Sequence, residues 1–199
     1  MLYQLLPGTR ALIFDLDGTL ADTMPFHMKA WQTTCREHGF EIKSDLLRSL
    51  TGTPAKKMAE AIIDQYDLRK TVSPDQLFQR KIEIFLQMQH EVKEVKPVAD
   101  IVRKYYGTLP MAIGSGGFRE AVFRTLEVIG MTGMFNVIVT SNDVANHKPH
   151  PETFLRCAEQ MDTDPGSISV FEDGDLGIEA AYRAGMNAID VRGWYADNW

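Results

Sequence analysis

Cysteine is nearly missing: only Cys35 and Cys157 occur, far apart and in no C-x-x-C pattern. That excludes a disulfide framework and a thiolate zinc site, and predicts two reduced thiols in a protein interior. Basic charge is also scarce. Lysine and arginine number 21 against 27 aspartates and glutamates, a net charge of -6, which argues against a general nucleic-acid surface because such a surface needs clustered cations. No apolar run approaches the roughly 18 residues of a membrane span. The start MLYQLLPG has no basic residue and is broken by Pro7 and Gly8, so neither signal peptide nor anchor is expected and the protein is read as cytoplasmic. Internal repeats and low-complexity tracts are absent too. What is left, 44% hydrophobic and 24% charged, is a globular chain long enough for a core with a smaller inserted partner. An acidic chain that takes an anionic substrate must supply a local basic pocket.

Short apolar, β-rich runs stand at Ala11 to Phe14, Met111 to Gly114, Val137 to Thr140, Ile168 to Phe171 and Ala188 to Val191. They read as buried strands. Helical patterns separate the later ones, over Arg119 to Ile129, Glu152 to Met161 and Leu176 to Ala184. This alternation predicts an α/β fold with a doubly wound parallel sheet. The span from about Asp22 to Val92 breaks it, with helix signals and no strand between them. Thr23 with Pro25, Thr53 with Pro54 and Ser73 with Pro74 read as helix starts, Gly39 as a helix end. Leu77, Ile84, Phe85 and Met88 share one face of the last helix. An inserted helical block is the expectation.

The stretch FDLDGTLADT, residues 14 to 23, sets Asp15 and Asp17 at the end of the first strand. Carboxylates crowded together repel, so a cation, a proton or open water must accompany them. Ligands in open parallel sheets bind beyond the carboxyl ends of the strands. There the second strand offers Ser115, the third is followed by Lys148, and the fourth ends in Glu172 and Asp173. Those types suit phosphoryl transfer: carboxylates hold a hard divalent cation, a lysine and a hydroxyl hold phosphate oxygens, and one carboxylate attacks. Mg²⁺ is the cation this requires, since a carboxylate otherwise approaches a phosphate dianion against repulsion.

The set DLDGTLADT, SGG at 115 to 117, HKPHPETF at 147 to 154 and FEDGDLGIEAA at 171 to 181 resembles the four ordered motifs of the haloacid dehalogenase superfamily, in its β-phosphoglucomutase-like branch. The resemblance covers essentially the whole chain. It implies a haloacid dehalogenase-like Rossmannoid core over 1–21 and 93–199 with a helical cap over 22–92. It implies a Mg²⁺-dependent phosphatase for small sugar phosphates of the fructose 1-phosphate kind, working through an aspartyl-phosphate. Asp15 would be the nucleophile and Asp17 the general acid and base, with Mg²⁺ held by Asp15, the Asp17 backbone carbonyl and Asp173. Glu172 would orient a water on the metal, while Ser115, Gly116, Gly117 and Lys148 hold the phosphoryl group. In the cap, Lys81 matches a family lysine. His27 and Trp31, one helical turn apart, and Gly52 with Thr53 are expected to face the cleft. The partner is a small molecule, with no nucleic acid and no membrane.

Other readings fit less well. An EF-hand counted from Asp15 would need glycine and glutamate where Leu20 and Phe26 stand. GSGG lacks the Gly-Lys-Ser/Thr of a Walker loop, and Arg119 occupies the third glycine of a dinucleotide fingerprint. His147 and His150 are separated by Pro149, which disfavours zinc. Met24, Met28 and Met88 read as cap packing, and Lys56, Lys57 and Arg80 as solvated. The nearest rival function is a sugar phosphomutase. Its relatives carry a Ser-Lys pair after the motif serine and an arginine beyond the cap glycine, where this chain has Gly117-Phe118 and Ala55, with Arg119 or Lys57 as the available substitutes. A dehalogenase would leave Asp17 and the metal carboxylates surplus, a phosphonate hydrolase would need Lys56 or Lys57 to form an imine, and a non-catalytic module would not need the intact acids.

Overall fold

The computed structural model describes residues 4–50 and 53–195. Gly52, the beginning of MLYQ and the last tryptophan, Trp199, lie outside the described residues. Five short strands, β1 (Ala11–Phe14), β2 (Met111–Gly114), β3 (Val137–Val139), β4 (Ile168–Glu172) and β5 (Asn187–Asp190), form one parallel sheet in the order β3-β2-β1-β4-β5. β1 sits at the centre, covered on both sides, which is why its run is apolar at every position. Leu12 and Phe14 face one helical layer, while Ala11 and Ile13 face the other.

The described helices are α1 (Met24–Glu37), α2 (Ser44–Ser49), α3 (Ala55–Gln65), α4 (Pro74–Met88), α5 (Lys96–Tyr105), α6 (Arg119–Val128), α7 (Glu152–Gln160) and α8 (Asp175–Arg183). α5 and α6 cover the Leu12 face, α7 and α8 the Ala11 face. Two of the eight were not expected. α2 is too short to show a period. α5 carries Pro97 in its first turn and buries Val98, Ile101 and Val102, a signal visible in sequence but hidden beside the helical block.

α1 to α4 follow one another with no strand between them among the described residues, and they bury a core of their own around Trp31, Leu47, Ile62 and Leu77. Ser73 starts α4 with a reciprocal capping box to Gln76. Thr53, expected to cap α3, does not: Pro54 holds the cap position. The chain enters and leaves this block side by side, Asp22 donating its amide to the Lys93 carbonyl (2.9 Å) and Val95 to Leu20 (2.8 Å). Both cysteines are buried and unpaired, and burial pushes each thiol up to about 12, too high for a nucleophile at neutral pH. Among the described residues no helix is long and apolar enough to cross a membrane.

Candidate active site

Parallel register brings the strand ends level. Phe14 pairs with Phe171 on β4 and with Ile113 on β2, and the Asp15 amide donates to the Phe171 carbonyl (3.0 Å). Asp15, Ser115 and Glu172 therefore emerge together on one edge, all buried. Lys148, from the loop before α7, donates to Asp15 Oδ1 (2.6 Å) and Glu172 Oε1 (2.7 Å). The oxygens of Asp15, Glu172 and Asp173 lie within 4.8 Å of one another. Two glycines permit this density. A Cβ on Gly18, which has φ +91°, would stand 2.3 Å from Asp173 Oδ2, and one on Gly177 would stand 1.7 Å from Glu172 Oε1.

Burial raises the Asp15 carboxyl well above its ordinary range, aided by Glu172 and Asp173 and opposed by Lys148. Burial and the Glu172 charge likewise raise Asp173 to about 7. Burial works against the charge on Lys148, but Asp15 and Glu172 outweigh it and raise its pKa. One ammonium is thus too little for three carboxylates, and a further cation would relieve them. The donors are all carboxylate oxygens, with Thr19 Oγ1 orienting Asp173 Oδ1 (2.6 Å) and the Gly174 amide orienting Glu172 Oε2 (2.6 Å). That set fits Mg²⁺ and offers nothing to a softer metal. Ser115 Oγ accepts from the Gly117 amide (2.9 Å).

The Asp17 side chain turns instead to the helical block. Its Oδ1 lies 3.3 Å from His27 Nε2, and His27 Nδ1 lies 2.9 Å from Lys81 Nζ. An ammonium only donates, so Nδ1 accepts and the ring proton sits on Nε2, donating to Asp17. Lys81 is 3% exposed, with its nitrogen 5.1 Å from the Phe85 ring and 5.7 Å from Trp31. Burial lowers Lys81 to about 8, opposed by Asp17. Burial and the Lys81 charge lower His27. For Asp17 burial raises the pKa, but His27, Thr23 and Lys81 together outweigh it and hold the group below its ordinary value. Removing the Lys81 charge should therefore raise His27: in Lys81→Met the ring resonances followed by NMR should titrate at higher pH than in the wild type. An unchanged midpoint would remove Lys81 from the chain of contacts.

A cavity of about 350 Å³ lies between the helical block and the strand ends. The core contributes Asp15, Asp17, Gly116, Lys148 and Asp173, and the block contributes His27, Trp31, Thr53 and Lys81. Trp31 serves both the cavity and the block's own core. Met24 and Met28, expected only to pack, line the cavity as well. Lys56 stands at its edge, exposed and paired with Asp75 (2.7 Å). Arg119, a candidate for a distal anion, pairs with Asp143 on the surface. Three contributors hold places that no motif assigns them. Thr19 sits inside the DGT triplet, where a hydroxyl between acids was the available signal. Phe118 and Ala121 pack against Ala30, Ile84 and Phe85 of the block, a contact that no local pattern announces.

A family model described as haloacid dehalogenase-like hydrolase matches residues 12–191. A protein named fructose-1-phosphate phosphatase in Escherichia coli (strain K12) is 39% identical over 183 residues, covering 91% of this chain and 95% of that one. A phosphorylated carbohydrates phosphatase of Thermotoga maritima is 29% identical over 181 residues, covering 90% and 83%. A solved structure titled putative β-phosphoglucomutase, also from Thermotoga maritima, superposes with a TM-score of 0.74 at 26% identity, covering 96% of this chain and 88% of that one.

Proposed function

We propose, from the premise that this chain belongs to the haloacid dehalogenase-like hydrolase family, that it is a phosphatase of small sugar phosphates acting through an aspartyl-phosphate on Asp15. The observation that carries the reading is the convergence of Asp15, Lys148, Glu172 and Asp173 under a cavity whose wall holds Asp17. The relatives named as phosphatases of fructose 1-phosphate and of phosphorylated carbohydrates support the substrate class.

In the first step Asp15 forms a bond to phosphorus while the bond from phosphorus to the sugar oxygen breaks, and Asp17 gives its proton to that oxygen. In the second, Asp17 takes a proton from water, the water oxygen bonds to phosphorus, and Asp15 is released with inorganic phosphate. Lys148 aligns Asp15 and, with Ser115 and the amides near Gly116, holds the transferring oxygens. Mg²⁺ on Asp15, the Asp17 backbone carbonyl and Asp173, with Glu172 beside it, would draw off phosphate charge. His27 and Lys81 hold Asp17 from the helical block, proposed as a cap over 22–92 on a core of 1–21 and 93–199. Cap closure would exclude water and draw His27 and Lys81 away from Asp17. That would raise its proton affinity from the lowered value they hold it at here, so that it can carry the proton the first step needs.

The test is phosphate release from an aryl phosphate with and without Mg²⁺, followed by hexose and pentose phosphates including fructose 1-phosphate. No release in any condition would overturn the reading. A mutase must also grip a second phosphate, and the apolar packing of Phe118 against the block disfavours that. Adding catalytic glucose 1,6-bisphosphate to β-glucose 1-phosphate decides the point: glucose 6-phosphate appearing faster than free phosphate would favour the mutase.

Metal binding has a second readout. The folded protein keeps the protons of Asp15 and Asp173 to a higher pH than the unfolded chain does. These groups therefore favour folding fully below about pH 4; the Asp173 contribution is lost as the pH rises through about 7, and the Asp15 contribution is lost above its ordinary range, where its raised carboxyl ionises. Mg²⁺ requires the ionised forms, so it should raise the thermal midpoint more near pH 8 than near pH 5. The increment should vanish in Asp173→Asn. An Mg²⁺ effect as large in acid as in base would count against these ligands.

A further inference from the structure

The segment after β5 docks against the back of the catalytic turn. The Trp194 amide donates to the Val191 carbonyl (3.1 Å), and its ring meets Phe171 edge-on at 6.2 Å. Phe171 is stacked on Phe14 at 4.8 Å. Those two phenylalanines immediately precede Glu172 and Asp15, so Trp194 extends an aromatic row directly beneath the site. Tyr195 then reaches 177 positions back along the chain and donates its hydroxyl to the Gly18 carbonyl.

Gly18 is the centre of the turn that carries the reaction's acid and base. Its amide donates to the Ala21 carbonyl (2.8 Å), and its positive φ and the closeness of Asp173 leave no room for a side chain. The peptide that follows has the Thr19 N–H, donating to the Leu16 carbonyl at 3.3 Å, and the Gly18 C=O, accepting from the Tyr195 hydroxyl. Thr19 in turn holds Asp173 through its hydroxyl. This peptide plane thus lies between Asp17 on one side and the orienter of Asp173 on the other. A plane tied at both ends resists the rotation that would swing either group.

We infer that Tyr195 is a positioning residue for the phosphatase reaction, resting on the roles proposed above for Asp15 and Asp17. By fixing the Gly18 carbonyl it keeps Asp17 aimed at the cleft and Thr19 on Asp173. Tyr195 is not among the residues lining the cavity, so it acts through the turn and does not meet substrate.

Tyr195→Phe tests this, because it removes the hydroxyl and keeps the ring. With an aryl phosphate and Mg²⁺, kcat should fall about threefold to tenfold, the rate equivalent of one hydrogen bond, with KM unchanged. In the metal-free protein, amide hydrogen exchange over residues 16–23 should quicken while the urea midpoint stays put. Unchanged kcat with unchanged exchange would overturn the inference. So would a fall in kcat accompanied by a raised KM, a lower urea midpoint and faster exchange throughout the core, which is the signature of a purely structural contact. If the wild type releases no phosphate, the functional reading fails by itself, and the exchange measurement still decides whether Tyr195 holds the turn.

Discussion

Asp15→Asn should reduce turnover by more than about 10⁴-fold, the scale on which covalent mechanisms respond to loss of the nucleophile. An amide oxygen carries no charge and is a poor nucleophile, so the first bond to phosphorus does not form. The side chain it replaces is buried, and Lys148 Nζ donates to its Oδ1 at 2.6 Å. An amide oxygen can accept that same hydrogen bond, so the lysine keeps a partner and the fold should persist. Folding should even gain in the metal-free state, because a carboxyl held well above its ordinary range by burial and by two neighbouring acids is replaced by a group that never ionises. The check combines three measurements: steady-state turnover, the thermal midpoint without metal, and binding of an aluminium or beryllium fluoride phosphoryl mimic with Mg²⁺. Wild-type turnover at stoichiometric enzyme levels would sink the mechanism. Fluoride binding as tight in this variant as in the wild type would show that the carboxylate is not what the phosphoryl group engages.

Asp17→Asn should lower kcat by about 10²- to 10⁴-fold, the usual worth of general acid and base catalysis. KM should change little, since the amide oxygen still accepts from His27 Nε2, now 3.3 Å from the carboxylate. The two halves of the reaction should respond differently to the leaving group. An aryl oxide of low basicity leaves without a proton, so the first step survives with such a substrate, whereas attack of water still lacks its base. A burst of aryl alcohol followed by slow release, with phosphate found on Asp15 by mass spectrometry of quenched enzyme, is the expected result. A sugar phosphate should show no burst, because its alkoxide needs the proton. Unchanged kcat with a raised KM would mean that Asp17 contributes only uniform binding.

The acids, the lysine and the alternation of strand with helix were legible because each is a local pattern. An apolar run such as Ala11 to Phe14 has to be a strand buried on both faces, and the residue after it has to emerge at the sheet's carboxyl edge. Spacing along the chain therefore predicted that Asp15, Ser115, Lys148, Glu172 and Asp173 share one crevice; the fold brings the acids and Lys148 to the cavity wall and leaves Ser115 buried at the adjoining strand end. α5 escaped because its start follows a helical stretch without a break in composition. Thr53 fits the Thr-Pro pattern of a helix cap, yet Pro54, with an extended ψ of 133°, holds that position.

What the sequence determined by itself is the chemistry at the strand ends, since backbone alternation and motif spacing dictate which side chains leave the sheet on that edge. What only the tertiary structure decided is how that chemistry is aimed. Lys81 meets His27 across 54 residues because α1 packs on α4, and its burial, which lowers its proton affinity, exists only in that packing. Tyr195 meets Gly18 across 177 residues because the sheet sets β5 two strands from β1. Periodicity carries information over a few turns or one strand. Contacts between remote segments depend on how the whole chain minimises its exposed apolar surface, and no short stretch contains that.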